Sequence, residues 1–165
     1  MNGFEHITTF VFDVDGVFTN GEVLVMENGD MLRTMSTRDG QAVRYAIEGG
    51  YRVAVITKGA SDGVRKRFEY LGLTDIYDKL KDKAASYDDL LEKYNLKNEE
   101  VLYMGDDLPD LVLLNKAGVS ACPADAVTEV LQLARYISPF NGGKGCVRDV
   151  IEKTMRLQGT WPVFS

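Results

Sequence analysis

A chain of 165 residues is long enough to bury one full core and short for two ordinary domains. Its hydrophobic content of 45% reads as a soluble globular protein, and 19 basic against 25 acidic residues, a net charge of −6, leave no basic stripe for a nucleic acid. No run of about 18 apolar residues is present to cross a membrane, and "MNGFEHITTF" lacks the basic start and apolar stretch of a signal peptide, so a cytoplasmic protein is expected.

Strand-like and helix-like segments alternate along the chain. Ile7 to Asp13, "ITTFVFD", is apolar on nearly every residue, as a central strand covered on both faces should be. A hairpin insertion is expected over about residues 17–36, around the turn signal Asn28-Gly29. Asp39 looks like the N-cap of a helix through "GQAVRYAIEGG", which Gly49 and Gly50 stop. "YRVAVIT" is a second buried strand, followed by a helix near Ala60 to Leu71, a short strand near Ile76 and a helix from about Lys83 to Tyr94. "EVLYMGD" is a third clear strand, with a helix through "LPDLVLLNKAG" after it. The remaining elements are a short strand "VSACPA", a helix "VTEVLQLA", an edge strand "RYIS" and a last helix from Lys144 to Leu157. Such alternation predicts an α/β doubly wound parallel sheet in one domain over 1–165, and ligands in such sheets sit beyond the carboxyl ends of the strands.

Three of those strand ends are polar: Asp13 and Asp15 after the first, Thr57-Lys58 after the second, and Gly105-Asp106-Asp107 after the third. Taken singly, such residues are helix caps or loop solvators. Taken together on neighbouring strands, they crowd several carboxylates into one place, which is costly unless a cation sits among them or a proton is shared. A hard, oxygen-seeking ion, most simply Mg²⁺, suits such a cluster. Cys122 and Cys146 lack metal-type spacing and are read as reduced thiols. The single histidine, His6, lies near a loose-looking N-terminus, so the chemistry falls to carboxylates.

"DVDGVFT", "VIT", Lys83 and "GDDLPD" resemble, in order, the four motifs of the haloacid dehalogenase superfamily of phosphatases. The early hairpin, "TRDG" and the "GGKG" near the C-terminus resemble its 3-deoxy-D-manno-octulosonate 8-phosphate phosphatases. The resemblance implies Asp13 as nucleophile, forming an aspartyl-phosphate. It implies Asp15 as general acid and then base, and Thr57 and Lys83 as ligands of the transferring phosphoryl group. Mg²⁺ would be held by Asp13, the Asp15 backbone carbonyl and Asp106. Asp107 and Asp110 would stand behind them, orienting Lys83 or metal-bound water, and Gly16 would give the turn that exposes Asp15.

Between Asp15 and Thr57, and again between Thr57 and Lys83, there is no room for a cap domain. A bare site controls water and substrate poorly. Either a macromolecular substrate acts as its own lid or a neighbouring subunit closes the site. The apolar edge residues Val23, Val25, Met31 and Met35 of the hairpin favour the neighbour, and the similar family assembles through this hairpin as a homotetramer whose neighbouring C-terminal region helps cover the site. A hairpin folded onto its own domain is the alternative.

The cations Arg38, Lys58, Arg65 and Lys144 are candidates for a sugar-acid carboxylate, though each alone is equally a solvated charge. The resembled phosphatases usually carry Gly-Arg after the second-motif Ser/Thr. Here the segment reads Thr57-Lys58-Gly59, so the arginine position holds glycine, and Lys58 lacks the fork of a guanidinium. This leaves open a nine-carbon sugar acid phosphate, of the ketodeoxynononate or sialic acid type. A capless phosphoprotein phosphatase is a further rival. A phosphorylation-receiver domain is disfavoured, because its acceptor lies on a later strand than its acidic pair. Trp161 is either core or part of a docking tail.

Overall fold

A computed structural model describes residues 2–164. Its main sheet has six parallel strands: β1 (Thr9–Phe12), β4 (Arg52–Ile56), β5 (Asp75–Tyr77), β6 (Val101–Met104), β7 (Val119–Cys122) and β8 (Tyr136–Ile137). Their spatial order is β5-β4-β1-β6-β7-β8, so the chain winds outward from β1 in one direction and then, from β6, in the other. This is the doubly wound arrangement expected, with its reversal between β1 and β6, where such sheets form a crevice.

Side-chain alternation along β1 sorts the two layers of core. Phe10 and Phe12 face α1 (Thr37–Glu48), α2 (Asp62–Leu71) and α6 (Cys146–Leu157). Val11 faces α3 (Lys83–Tyr94), α4 (Leu111–Lys116) and α5 (Thr128–Leu133). Every residue of β1 and β6 is buried, which is why both read as unbroken apolar runs. The register aligns Phe12 with Val55 on one side and Met104 on the other, so β1 and β6 end level and β4 runs one residue further.

The antiparallel hairpin of β2 (Leu24–Val25) and β3 (Met31–Leu32) stands between β1 and α1. Among the described residues it is the one insertion there, and no cap domain follows β1 or β4. Leu24, Val25, Met31 and Leu32 are all more than half exposed. Met35 departs from the expectation: it is half-buried against the core, because the chain has by then turned inward to begin α1.

Other local expectations are corrected. The N-cap of α1 is Ser36, whose hydroxyl accepts from the Asp39 amide at 3.4 Å. Asp39 itself is fully buried, with Oδ1 accepting the Arg148 amide at 2.9 Å, so it joins the start of α1 to the start of α6. The segment around His6 is not loose: Phe4 is buried in a 3-10 turn, Phe4–His6, that leaves His6 exposed beside Glu5. The last helix begins at Cys146, two residues later than expected. Trp161 belongs to the core, edge-on to Tyr45 at 5.4 Å between ring centres, and leaves Val163 and Phe164 exposed beyond it. Cys122 and Cys146 are buried free thiols.

Candidate active site

The apolar run of β1 stops at Phe12, one residue sooner than expected, and the chain from Val14 to Thr19 coils tightly, with the amides of Val17, Phe18 and Thr19 all reaching the Val14 carbonyl. Gly16, with φ of 85°, carries the chain through that coil, and a Cβ there would overlap the Asp106 carboxylate. Asp13 and Asp15 therefore line one cleft of about 200 Å³ with Thr57, Lys58, Lys83 and Asp106.

Asp13 shares the parity of Val11 and so lies on the α3 side of the sheet, where Lys83 is the first residue of its helix. The Lys83 ammonium is buried, 3.0 Å from Asp13 Oδ1 and 2.7 Å from Asp110 Oδ1. The Val14 amide also donates to Asp13 Oδ1, at 2.8 Å, so both contacts engage the same oxygen and leave Oδ2 for chemistry. Asp110 is saturated: Oδ1 accepts from Lys83 and from the Tyr103 hydroxyl at 2.6 Å, and Oδ2 accepts the amides of Asp106 at 2.9 Å and Asp107 at 3.2 Å. Asp107 does not reach Lys83; it accepts the Leu108 amide and caps the 3-10 turn Leu108–Asp110.

Electrostatics set this cluster apart. Burial, and then the charge of Asp110, push the Asp13 carboxyl well above the ordinary carboxylate range, against the pull of Lys83. Burial, with Asp110 and Asp107 beside it, raises Asp106 to about 7. Burial pulls Lys83 down, yet Asp13 and Asp110 outweigh it and hold the ammonium above its usual value. Three carboxylates around one ammonium are an excess of negative charge.

The residues fit a divalent cation. Oxygens of Asp13, Asp106 and Asp110 lie within 4.8 Å of one another, and Asp106 Oδ1 is buried with no hydrogen-bond partner. Because each Asp110 oxygen already accepts two donors, Asp13 and Asp106 are the side chains with capacity to spare.

Asp15 is held from elsewhere. Arg33, just past β3, forks it with Nε 2.8 Å from Oδ1 and Nη2 3.2 Å from Oδ2. Sequence reasoning passed over Arg33; its only signal is a lone cation on the return strand of an apolar hairpin. Of the weaker candidates, Lys58 is exposed at the cleft wall. Arg65 is turned to Asp78 and Glu69, at 3.1 and 3.3 Å, and does not line the cleft. Arg38 and Lys144 come together in a different groove, of about 850 Å³, between the start of α1 and α6.

Fold and site together define a doubly wound α/β hydrolase, and comparison with known proteins gives the same class. Residues 67–151 match the haloacid dehalogenase-like hydrolases. The 3-deoxy-D-manno-octulosonate 8-phosphate phosphatase of Escherichia coli K12 is 36% identical over 155 residues, which are 94% of this chain and 82% of that protein. The crystal structure of the phosphatase of the same name from Yersinia pestis superposes with a TM-score of 0.94 at 32% identity, over 96% of this chain and 85% of that one. The Moraxella catarrhalis phosphatase, solved with a magnesium ion, a phosphate ion and a KDO molecule, superposes with a TM-score of 0.92 at 29% identity, over 95% and 90% of the two chains. This chain belongs to the haloacid dehalogenase-like hydrolases and is a phosphatase.

Proposed function

We propose that the protein hydrolyses 3-deoxy-D-manno-octulosonate 8-phosphate to the free sugar acid and phosphate, with Mg²⁺ and through an aspartyl-phosphate. The observation that carries the reading is the pairing at the end of β1: Asp13 with one oxygen fixed by Lys83 and the other available, and Asp15 two residues on in the same cleft. Likeness to phosphatases named for that substrate supports the substrate.

In this reading Asp13 Oδ2 attacks phosphorus, the bond from phosphorus to the sugar oxygen breaks, and Asp15 delivers its proton to that oxygen. The charged Asp15 then takes a proton from water as the water oxygen attacks phosphorus, which returns Asp13 as a carboxylate and frees phosphate. Lys83 and the Thr57 hydroxyl bind the non-bridging oxygens, and Lys83 stays charged throughout because Asp110 holds it from behind. Asp13, Asp106 and the Asp15 carbonyl would hold Mg²⁺, which supplies neutralising charge as the carboxylate meets the phosphoryl dianion.

The exposed apolar hairpin supports assembly as a homotetramer in which a neighbouring subunit closes the capless site. The proposed substrate fits a cytoplasmic step of lipopolysaccharide synthesis; among the described residues no helix is long and apolar enough to cross a membrane. Replacing Leu24 and Met31 together by Asp should then give a monomer by sedimentation; an unchanged tetramer would remove the hairpin from the assembly.

Gly59 at the arginine position favours, as second reading, a nine-carbon keto-deoxy sugar acid 9-phosphate. Steady-state phosphate release with Mg²⁺ decides. A kcat/KM far higher for the eight-carbon acid than for nine-carbon acids, common sugar phosphates and phosphopeptides is the expected result. Preference for a nine-carbon acid would keep the chemistry and change the substrate; preference for a phosphopeptide would overturn the sugar assignment.

A further inference from the structure

The hairpin strands expose Leu24, Val25, Met31 and Leu32, but Arg33, just past them, is turned inward. Arg33 is only 8% exposed, and its guanidinium crosses from the hairpin into the mouth of the cleft to fork Asp15. Across from it, Gly59 offers no side chain. A Cβ at residue 59 would stand 3.2 Å from Asp15 Oδ2, 3.4 Å from Thr57 Oγ1 and 3.5 Å from Arg33 Nη2. The bare Gly59 backbone thus lies beside the end of the Arg33 fork. A Cβ at 59 would be tight only against Asp15 Oδ2 and in ordinary contact with the end of the Arg33 fork.

Beyond this point lies a broad groove of about 1070 Å³ between the hairpin and the loop after β4, lined in part by Arg33, Gly59, Ser61 and Lys79. Gly59 lines both the cleft and the groove, so the two adjoin at this residue. A phosphate bound at Asp13 and Lys83 would leave the body of its ester in that groove, beside Arg33. A guanidinium presents two parallel N–H donors that match a carboxylate, and Asp15 fills that fork in the present structure.

We infer that Arg33 is the specificity-determining cation of the site: it recognises the carboxylate of a sugar-acid phosphate, exchanging Asp15 for the substrate in its fork and so releasing both Asp15 oxygens for proton handling. The inference rests on the sugar-acid reading above and extends it by naming the residue that reads the acid.

The test compares the eight-carbon acid phosphate with glucose 6-phosphate, which has the same primary-alkoxide leaving group and no carboxylate. Arg33→Gln should lower the ratio of kcat/KM for acid over neutral ester by about 10- to 100-fold, the usual worth of a charge-assisted hydrogen-bonded pair, mainly through KM of the acid. Calorimetric affinity for the free sugar acid should fall by a similar factor. Arg33→Lys keeps the charge but not the fork, so a smaller fall in the same ratio is expected; it carries the test should the Gln variant not fold. An unchanged ratio in the folded variants, with both esters slowed alike, would mean that Arg33 only positions Asp15 or the hairpin, and would overturn the inference alone. A native enzyme with no preference for the acid would overturn the substrate reading and this inference together.

Discussion

Asp110 Oδ1 lies 2.7 Å from Lys83 Nζ, closer than the 3.0 Å at which Asp13 holds the same ammonium. The lysine is therefore anchored by a residue that does not face the reaction and is shared with one that does. Tyr103 and the amides of Asp106 and Asp107 fix Asp110 in turn, so the position of Lys83 is set by the end of β6. Asp110→Asn should lower kcat and also destabilise the fold, because it breaks a buried pair: about 3 kcal/mol, or roughly 6–12 °C in Tm for a domain of this size. Loss of activity with an unchanged melting temperature would show that Asp110 acts directly on substrate instead.

Asp13→Asn should abolish turnover by about 10⁴-fold or more, since the amide is a poor nucleophile toward phosphorus. It also removes one of three crowded carboxylates, so the metal-free variant should melt no lower than the native protein. Circular dichroism and phosphate release on the same sample check both halves. Substantial residual activity would rule out the covalent route.

Asp15→Ala should slow release by about 10²- to 10⁴-fold, the range for loss of a positioned acid-base group. Substrate or phosphoenzyme should then persist, and acid quench followed by mass measurement of the protein reads the difference. A variant turning over at the native rate would assign the proton transfers elsewhere.

What could be read from the chain follows from burial. Asp13, Thr57 and Asp106 stand at the ends of strands covered on both faces, where a polar residue interrupts an otherwise continuous apolar run, and Lys83 opens a helix of clear pattern. The sheet was legible for the same reason. Arg33 was not, because its hairpin is solvated on both sides and shows no periodicity against which one inward side chain could stand out. Asp39 was misplaced as a cap although Ser36 and Asp39 have capping-box spacing; its bond to Arg148, 109 positions away, leaves no local trace. Arg38 and Lys144 were each read as substrate-side cations, and they line a groove between α1 and α6 apart from the cleft, because charge near glycine says nothing of which groove the chain will form.

The crowding of carboxylates has a consequence for stability that needs no substrate. In the metal-free protein Asp106 titrates near 7 and Asp13 is raised as well, both above the value of about 4 expected in an unfolded chain. The folded state therefore holds protons that the unfolded chain has already released. That contribution is fully present below about pH 4 and is lost as pH rises through 7. With chelator present, Tm should fall between pH 5 and pH 8, and Asp106→Asn should flatten the dependence. Mg²⁺ binds the deprotonated carboxylates, so at about 100 times its Kd it should raise Tm by roughly 5–10 °C at pH 8 and by less at pH 5. Chelation should silence turnover and Mg²⁺ restore it. A chelated protein more stable at pH 8 than at pH 5, or a magnesium shift independent of pH, would mean that Asp13 and Asp106 are not the groups whose charge the cation neutralises.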